Sequence, residues 1–398
     1  MIRFTSTLYR EAFGQLVERW MYNRPEDGDA ELLSRLVHFN NVFMARYLQA
    51  FSIRLLSAWH GRRPGTRPSE TKGELKDFIV RHPPLDSSRV RQLIAAYQGQ
   101  PGRYYRQTPF HGTIYYLPPL EQAHYLGSSR IKRVRRLAEK SARRITDRVF
   151  EVICQHADAL AEERARQLGI ERRQLQSTPE QMLKEFHRAE ERIMELFRRG
   201  HPFSLGEHIE INDVAGIKII LPDERRQELV DWLQDQADCR IIEQEEHRGD
   251  YNATNLIVAH RPDKATLLDR PLEETTTRLL AARGIDDGSA NKAFKRFVNE
   301  GEDEVYVEII VSNYQEMLES EIGRCIHEDR ILEQRRQQRY RGPLAKNIEY
   351  LMVYMFNFAV SPRQRLDDLP IKLWNRYLPD TIDELIRALF DLPPLSLP

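Results

Sequence analysis

The sequence predicts an α+β fold, with a mainly helical N-terminal region, a mixed-sheet domain and a helical C-terminal tail. Two observations lead to this prediction. Apolar residues recur at spacings of three and four over most of the first 200 positions, which is typical of amphipathic helices. After residue 205 the period changes to two, which is typical of half-buried strands. The 398 residues, 41% hydrophobic and 30% charged, suit a globular protein of two or three domains.

The N-terminal region is predicted to form a basic helical domain with loops over residues 1–128. Residues 6–60 have helical spacing and indicate a helical hairpin or small bundle. Two prolines and two glycines in residues 61–68 predict a loop. Residues 99–119 mix arginines with aromatic residues, which indicates either a loop fixed to the core by its tyrosines or a surface that stacks bases.

A long basic connecting helix is predicted within residues 129–177, with its helical pattern running from 129 to 168. One stripe of this segment is apolar, and its other faces carry a run of arginines and lysines. Such a face is either solvated or an anion-binding surface. A second helix is expected to begin after Thr178, where threonine, Pro179 and Gln181 form a capping sequence, and to end at Gly200.

The mixed-sheet domain is predicted over residues 178–337, and residues 338–398 form the C-terminal helical region. Helical patterns fill the end of the domain and most of the tail. The expected strands are 209–221, 239–248, 251–259 and 304–312. The expected helices are 223–237, an insertion at 263–300, and then 313–337, 343–360 and 380–390.

Charge is divided unevenly along the chain. Residues 1–150 contain 26 Lys and Arg against 13 Asp and Glu, whereas the remainder contains 34 against 47. A basic portion of this kind meets either nucleic acid or the acidic portion of the same chain, and the sequence leaves both alternatives open.

Several protein classes are excluded by composition. The three cysteines lack metal-site spacing, so we expect free thiols rather than disulfides or a zinc site. No apolar run approaches 20 residues and the first residues form no apolar signal region, which predicts a cytoplasmic protein without a membrane span. Gly-x-Ser-x-Gly, P-loop and dinucleotide-binding sequences are absent.

Two carboxylates are the best candidates for chemistry. Glu308 lies on the strand 304–312, on the face opposite an unbroken apolar row. Asp213 lies at the start of the first strand. Either residue is also explained as an ordinary solvated or turn residue. If they converge, they form a Mg²⁺ site, because Mg²⁺ prefers oxygen ligands and completes its shell with water and substrate phosphates.

The order of these segments resembles the RelA/SpoT-like nucleotidyltransferase (alarmone synthetase) domain from about residue 178 to 335. Residues 213–219, Asp-Val-Ala-Gly-Ile-Lys-Ile, are similar to the family's Asp-Ile-Ala-Gly-Ile-Arg-Ile. Residues 249–258 lie where the family has Asn-Gly-Tyr-Arg-Ser-Leu-His before an apolar strand. Residues 307–313 resemble Val-Glu-Val-Gln-Ile-Arg-Thr, and residues 320–327 resemble its Ala-Glu-x-Gly-x-x-Ala-His helix.

This resemblance implies a Mg²⁺-dependent transfer of pyrophosphate from ATP to the ribose 3′-hydroxyl of GDP or GTP. It implies that Asp213 binds Mg²⁺, with Glu308 as the proposed base and second metal-site residue, and that Tyr251 stacks on the acceptor guanine. The other predicted substrate-binding residues are Lys218, Arg248, Asn255, Arg188 and Arg192. Lys218 and Asn255 replace the family's arginine and histidine, while Arg188 and Arg192 stand in for its ATP-side Arg-x-Lys sequence.

Two alternatives remain at this point. Some relatives modify the 3′ end of tRNA, and the basic N-terminal half suits a phosphate backbone. The second alternative is a catalytically inactive module that senses nucleotides or binds another protein. The sequence does not determine whether the protein is an oligomer. If the basic segment folds back on the domain, at least one of four arginines reaches the cleft framed by Asp213, Tyr251 and Glu308. They are Arg136, Arg143, Arg144 and Arg148.

Overall fold

The chain forms a mixed α+β structure in the computed structural model. Across the described residues, no helix combines the length and the apolar character needed to cross a membrane. The structure describes residues 2–201, 209–249, 252–285, 287–337 and 339–394.

The first third of the chain contains strands as well as the expected helices. The expected loop at 61–68 overlaps a strand, and the second half of the irregular segment 99–119 contains another. Both expectations were wrong because prolines and glycines weakened the strand pattern, yet an edge strand tolerates proline. The elements are β1 (Ile2–Phe4), α1 (Arg10–Met21), α2 (Asp29–His60), β2 (Gly65–Thr71), α3 (Lys72–Arg81), α4 (Ser88–Gly99), β3 (Pro109–Leu117) and β4 (His124–Ile131).

The long basic helix begins five residues later than expected. It is α5 (Val134–Gln167), and the segment before it belongs to β4. The next helix, α6 (Pro179–Arg199), confirms the capping prediction, since the Thr178 and Gln181 side chains each bond to the other residue's backbone. Gly200 ends α6 with a φ of 64°, a conformation that favours glycine.

The second half follows the predicted order of strands and helices, with two corrections. The expected single strand 209–221 is two strands in different sheets, because the chain turns at Asn212 and Asp213, and the expected single helix 313–337 is interrupted. Asp263 caps the insertion as expected, accepting hydrogen bonds from two backbone N–H groups. A π-helical turn (Glu319–Gly323) separates two of the later helices. The elements are β5 (Ile209–Ile211), β6 (Ala215–Ile220), α7 (Arg226–Asp235), β7 (Cys239–His247), β8 (Ala253–His260), α8 (Lys264–Leu268), α9 (Glu274–Ala282), α10 (Asp287–Glu300), β9 (Val305–Ser312), α11 (Tyr314–Leu318), α12 (Ile326–Arg336), α13 (Pro343–Val360) and α14 (Pro379–Leu389).

Seven strands form one sheet in the order β2-β3-β4-β6-β9-β8-β7. Strands β6 and β9 are parallel, and the other neighbours are antiparallel. β1 pairs separately with β5. The expected domain boundaries at 128 and 178 therefore do not follow the sheet, because three strands from the first 131 residues extend it beyond β6.

The sheet has two different faces. On one face, the buried row Val305, Val307, Ile309 and Val311 of β9 belongs to the main core, which also includes residues of α2 and α13. On the other face, α3, α4 and α11 cover β3 and β4 with a smaller core. The rest of that second face, over β9, β8 and β7, lines a large cavity.

Candidate functional site

A cavity of about 1160 Å³ lies between this sheet face and α5, α12 and the start of α13. Its described lining includes Asp213, Glu308 and Asn255, three of the residues selected from sequence. Arg136, Arg143 and Arg144 of α5 line the same cavity, as expected if the basic helix folds back on the sheet. Arg148 is not among the described lining residues, and it pairs with Glu151 instead.

The described lining is predominantly basic, with fourteen lysines and arginines against nine aspartates and glutamates. Most of the cations come from the β4–α5 segment and from α12, whereas Glu243 and Glu245 of β7 lie on the opposite side. The cavity thus has a basic wall, formed by the cations of the β4–α5 segment and α12, and a partly acidic wall at β7. A basic wall of this density attracts anions, and a concave shape strengthens that attraction.

Glu308 faces the cavity because successive side chains of β9 point to opposite faces of the sheet. The even-numbered residues of this strand, including Ile310, point away from the main core. Gly216 is paired with Glu308 on the neighbouring strand β6, and a Cβ there would lie 3.3 Å from Glu308 Oε2. Asn255 of β8 donates a 3.4 Å hydrogen bond to Glu308 Oε1. Glycine at 216 therefore leaves room for the Glu308 carboxylate.

Asp213 lies in the turn between β5 and β6, between two lysines. Lys132 Nζ is 2.8 Å from Asp213 Oδ2, and Lys140 Nζ contacts the same oxygen. Burial disfavours the charged form of Asp213, but the two ammonium groups outweigh it and hold the pKa well below its usual range. Burial also lowers the pKa of Lys140, which Asp213 and Glu308 partly offset. Both carboxylates thus stabilise the charged form of Lys140.

This arrangement fits a divalent cation only under one condition. Oδ1 of Asp213 is buried and has no hydrogen-bond partner among the described residues, so it is available as an oxygen ligand. The charges of Lys132 and Lys140 already balance those of Asp213 and Glu308. A cation that binds here must therefore bring its own anions, as Mg²⁺ does when it arrives on a polyphosphate.

Lys218, predicted to bind substrate, lies instead in a buried ion-pair network. Its ammonium is 3.0 Å from Glu321 Oε1 and 3.2 Å from His327 Nε2. Lys72 of α3 contacts the other Glu321 oxygen at 2.6 Å. Burial opposes ionisation of Glu321, yet the surrounding lysines hold its pKa well below normal. Burial and Lys218 lower the pKa of His327 well below normal.

Several cations of the basic wall have no carboxylate partner. Within the described residues, no acidic group is at ion-pair distance from Arg133 or Arg144. Burial and the neighbouring guanidinium groups of Arg130 and Arg136 lower the pKa of Arg133. Crowded, partly buried cations repel one another, and an incoming anion relieves that repulsion.

The remaining predicted site residues have different outcomes. Arg248 lines the cavity. Tyr251 lies outside the described residues. Arg188 and Arg192 are not among the described lining residues, so their expected role has no geometric support; both lie on α6, which packs against α5.

An Arg-x-Lys sequence does line the cavity, at Arg130, Ile131 and Lys132. It lies at the end of β4, and Lys140 follows two turns into α5. The assignment of residues 129–168 to one helix concealed it. The sequence of residues 124–131 gave little strand signal before these cations, because a glycine and two serines interrupt its apolar residues.

A second group of potential metal ligands lies away from the cavity. The ligand atoms of Asp238, Cys239 and His260 are within 4.8 Å of one another. Arg54 of α2 donates to both oxygens of Asp238, so its guanidinium already neutralises the carboxylate that a metal ion would need. Burial lowers the pKa of His260 to about 4. These residues form an ion-paired contact between α2 and the sheet.

No protein-family model, curated protein or solved structure matches this chain.

Proposed function

We propose that the cavity binds a Mg²⁺–nucleoside triphosphate and transfers pyrophosphate from ATP to a ribose 3′-hydroxyl. The observation that supports this most directly is the convergence in one cavity of Asp213, Glu308 and a basic wall in which, among the described residues, Arg133 and Arg144 have no acidic partner at ion-pair distance. Phosphoryl-transfer sites depend mainly on positioning and charge neutralisation, and these residue types provide both.

The triphosphate is assigned to the basic wall. Arg130, Lys132, Arg133, Arg136 and Lys140 come from one continuous segment and line one side of the cavity. Mg²⁺, when bound with the nucleotide, supplies further charge neutralisation next to Asp213. Phosphates that approach Lys140 compete with Asp213 for the Lys140 ammonium group. This competition frees the Asp213 carboxylate to bind Mg²⁺.

The acceptor hydroxyl is assigned to the sheet side of the cavity, beside Glu308. In this reaction the hydroxyl oxygen bonds to the β-phosphorus, the bond between that phosphorus and the α–β bridging oxygen breaks, and AMP leaves. Glu308 accepts the hydroxyl proton. Asn255 donates to Glu308 Oε1 and so orients its carboxylate.

The test uses the full chain with Mg²⁺, ATP labelled in the β-phosphate, and three separate acceptors. GDP, GTP and tRNA distinguish a free purine nucleotide from an RNA end. We expect labelled acceptor that disappears in Glu308→Gln, since an amide cannot take the proton. Glu304→Gln is the matched control, because Glu304 precedes the same strand and pairs with Arg240.

The result decides among the proposed roles. Product on a nucleotide or on tRNA identifies the acceptor class. Absence of any Glu308-dependent product across all three acceptors contradicts the proposed reaction. Nucleotide binding without product would instead support the sensing role.

A further inference from the structure

The carboxylate of Glu139 lies among the guanidinium groups of the basic wall. Glu139 is on α5 and lines the cavity, and its side chain is 19% exposed. Arg335 of α12 donates a 2.7 Å hydrogen bond to Glu139 Oε1, and Arg136 of α5 donates to Oε2. No other carboxylate of the described residues is at ion-pair distance from Arg136 or Arg335. Glu139 therefore joins the two helices that carry the basic wall.

The guanidinium groups around Glu139 outnumber its carboxylate. The Arg135 guanidinium also lies 3.4 Å from Glu139 Oε1. Burial comes first among the causes that lower the pKa of Arg133, and the charges of neighbouring arginines, which include Arg136 and Arg335, follow. One carboxylate thus faces four arginines, and an excess of three positive charges remains. Such an excess attracts a polyanion.

Glu139 is held too weakly to exclude a phosphate from these arginines. Its pair with Arg136 joins residues three apart on one helix, and the Arg335 side chain is 45% exposed. Pairs of both kinds contribute little in water. A phosphate group has more charge and more acceptor oxygens than a carboxylate, and guanidinium groups bind it through two parallel hydrogen bonds. A bound polyphosphate would also repel the Glu139 carboxylate.

We infer that Glu139 is an internal competitor for the polyphosphate site. Its carboxylate neutralises Arg136 and Arg335 in the free protein, and a bound polyphosphate replaces it on both guanidinium groups. Arg335 of α12 then joins the triphosphate site, whose other cations come from the β4–α5 segment. This inference rests on the proposed role of the basic wall in binding a triphosphate.

The first test measures binding of inorganic tripolyphosphate to the full chain by calorimetry. In Glu139→Gln the affinity should rise about fivefold, because a neutral amide no longer competes for Arg136 and Arg335. A purely structural link between the helices gives the opposite sign, since its loss would loosen both arginines. The matched control is Glu151→Gln, which should bind as the wild type does. Glu151 is also on α5, pairs with Arg148 at the same spacing and lies outside the described lining.

The second test removes the cation from α12. In Arg335→Gln the affinity for tripolyphosphate should fall about tenfold, because a charged hydrogen-bond donor to the phosphates is lost. Arg336→Gln removes the same charge from the next residue of α12, which is exposed and outside the described lining, and should change the affinity much less. This comparison does not depend on the folding of Glu139→Gln.

Two outcomes overturn the inference: unchanged or weaker tripolyphosphate binding in Glu139→Gln, or a loss in Arg335→Gln no larger than that in Arg336→Gln. Absence of tripolyphosphate binding to the wild type overturns it together with the assignment of the triphosphate to the basic wall. The expected changes in both variants without a Glu308-dependent product remove the proposed reaction but retain the polyphosphate site. A Glu308-dependent product without a gain in Glu139→Gln does the reverse. The two proposals therefore fail separately.

Discussion

The Glu321 side chain is 3% exposed and lies between the ammonium groups of two lysines. The paired lysines, Lys72 and Lys218, have side chains that are 5% and 12% exposed. Charges at this depth are stable only as a set, because each loses its hydration and depends on its partners. The network connects α3 with β6 and with the π-helical turn before α12.

We predict that Glu321→Gln lowers the free energy of unfolding by about 3–5 kcal/mol, because two buried ammonium groups lose their shared carboxylate. Urea unfolding of the full chain measures this change. Glu300→Gln is the control, since its pair with Arg296 is exposed on both sides and should contribute no more than about 1 kcal/mol. Equal losses in the two variants would contradict a buried network.

Sequence reasoning worked at residues whose environment follows from local periodicity. The position of Glu308 followed from the period of β9, because alternation alone assigns each residue to a face. The contact of Lys140 with Asp213 was not predictable in this way, since it depends on the path of α5 across the sheet. The pairing of Lys218 with Glu321 likewise depends on the packing of the π-helical turn.

Strand β4 joins the N-terminal strands β2 and β3 to the rest of the sheet, and its backbone approaches β6 closely at Gly127. Gly127 pairs with Tyr115 on one side and with Ile219 on the other. A Cβ at position 127 would lie 2.2 Å from the carbonyl oxygen of Lys218, a backbone atom held in the β4–β6 pairing. Glycine is required here by space.

We predict that Gly127→Ala destabilises the protein by about 1–3 kcal/mol, because the two strands must separate to admit the methyl group. Hydrogen exchange should show the loss of protection at the amides of β4 and β6. Gly99→Ala is the control: nothing lies within 4 Å of a Cβ at this helical position, and alanine should stabilise it by up to about 1 kcal/mol. Unchanged protection in Gly127→Ala would contradict the β4–β6 register.

The same strand explains why the sequence predicted the late elements better than the early ones. Strands β8 and β9 are rich in β-branched and aliphatic residues that identify a buried strand. β4 contains glycine, two serines and an arginine, and it runs into a helix with only two residues between them. The spacing of apolar residues therefore looked helical from residue 129 onward, and the predicted helix included the end of β4.

For the molecule as a whole, the uneven charge has a structural counterpart. Cations from the basic first part of the chain and carboxylates from the acidic second part line one cavity and form ion pairs across it, such as Lys140 with Asp213. The two parts also share the sheet through β4 and β6, and β1 pairs with β5. They are therefore parts of one folding unit.

We predict that residues 1–170 and 175–398 do not fold when produced separately but associate when produced together. Alone, the second fragment exposes the β6 edge that β4 covers and loses α2 from the main core, so its apolar face meets water. The break lies in the exposed connection after α5, where it removes no strand pairing. Association should restore one cooperative unfolding transition.

Co-purification on a tag carried by one fragment, followed by circular dichroism and thermal unfolding, measures this association. A break between Ile145 and Thr146, inside α5 at a buried position, is the control and should give poorly associating fragments. Folding of 175–398 by itself, with a cooperative transition, would mean that the sheet from β6 to β7 is an independent domain. In that case the segment that carries the basic wall would pack onto a domain that is already folded. The two parts of the chain would then share the cavity without forming one folding unit.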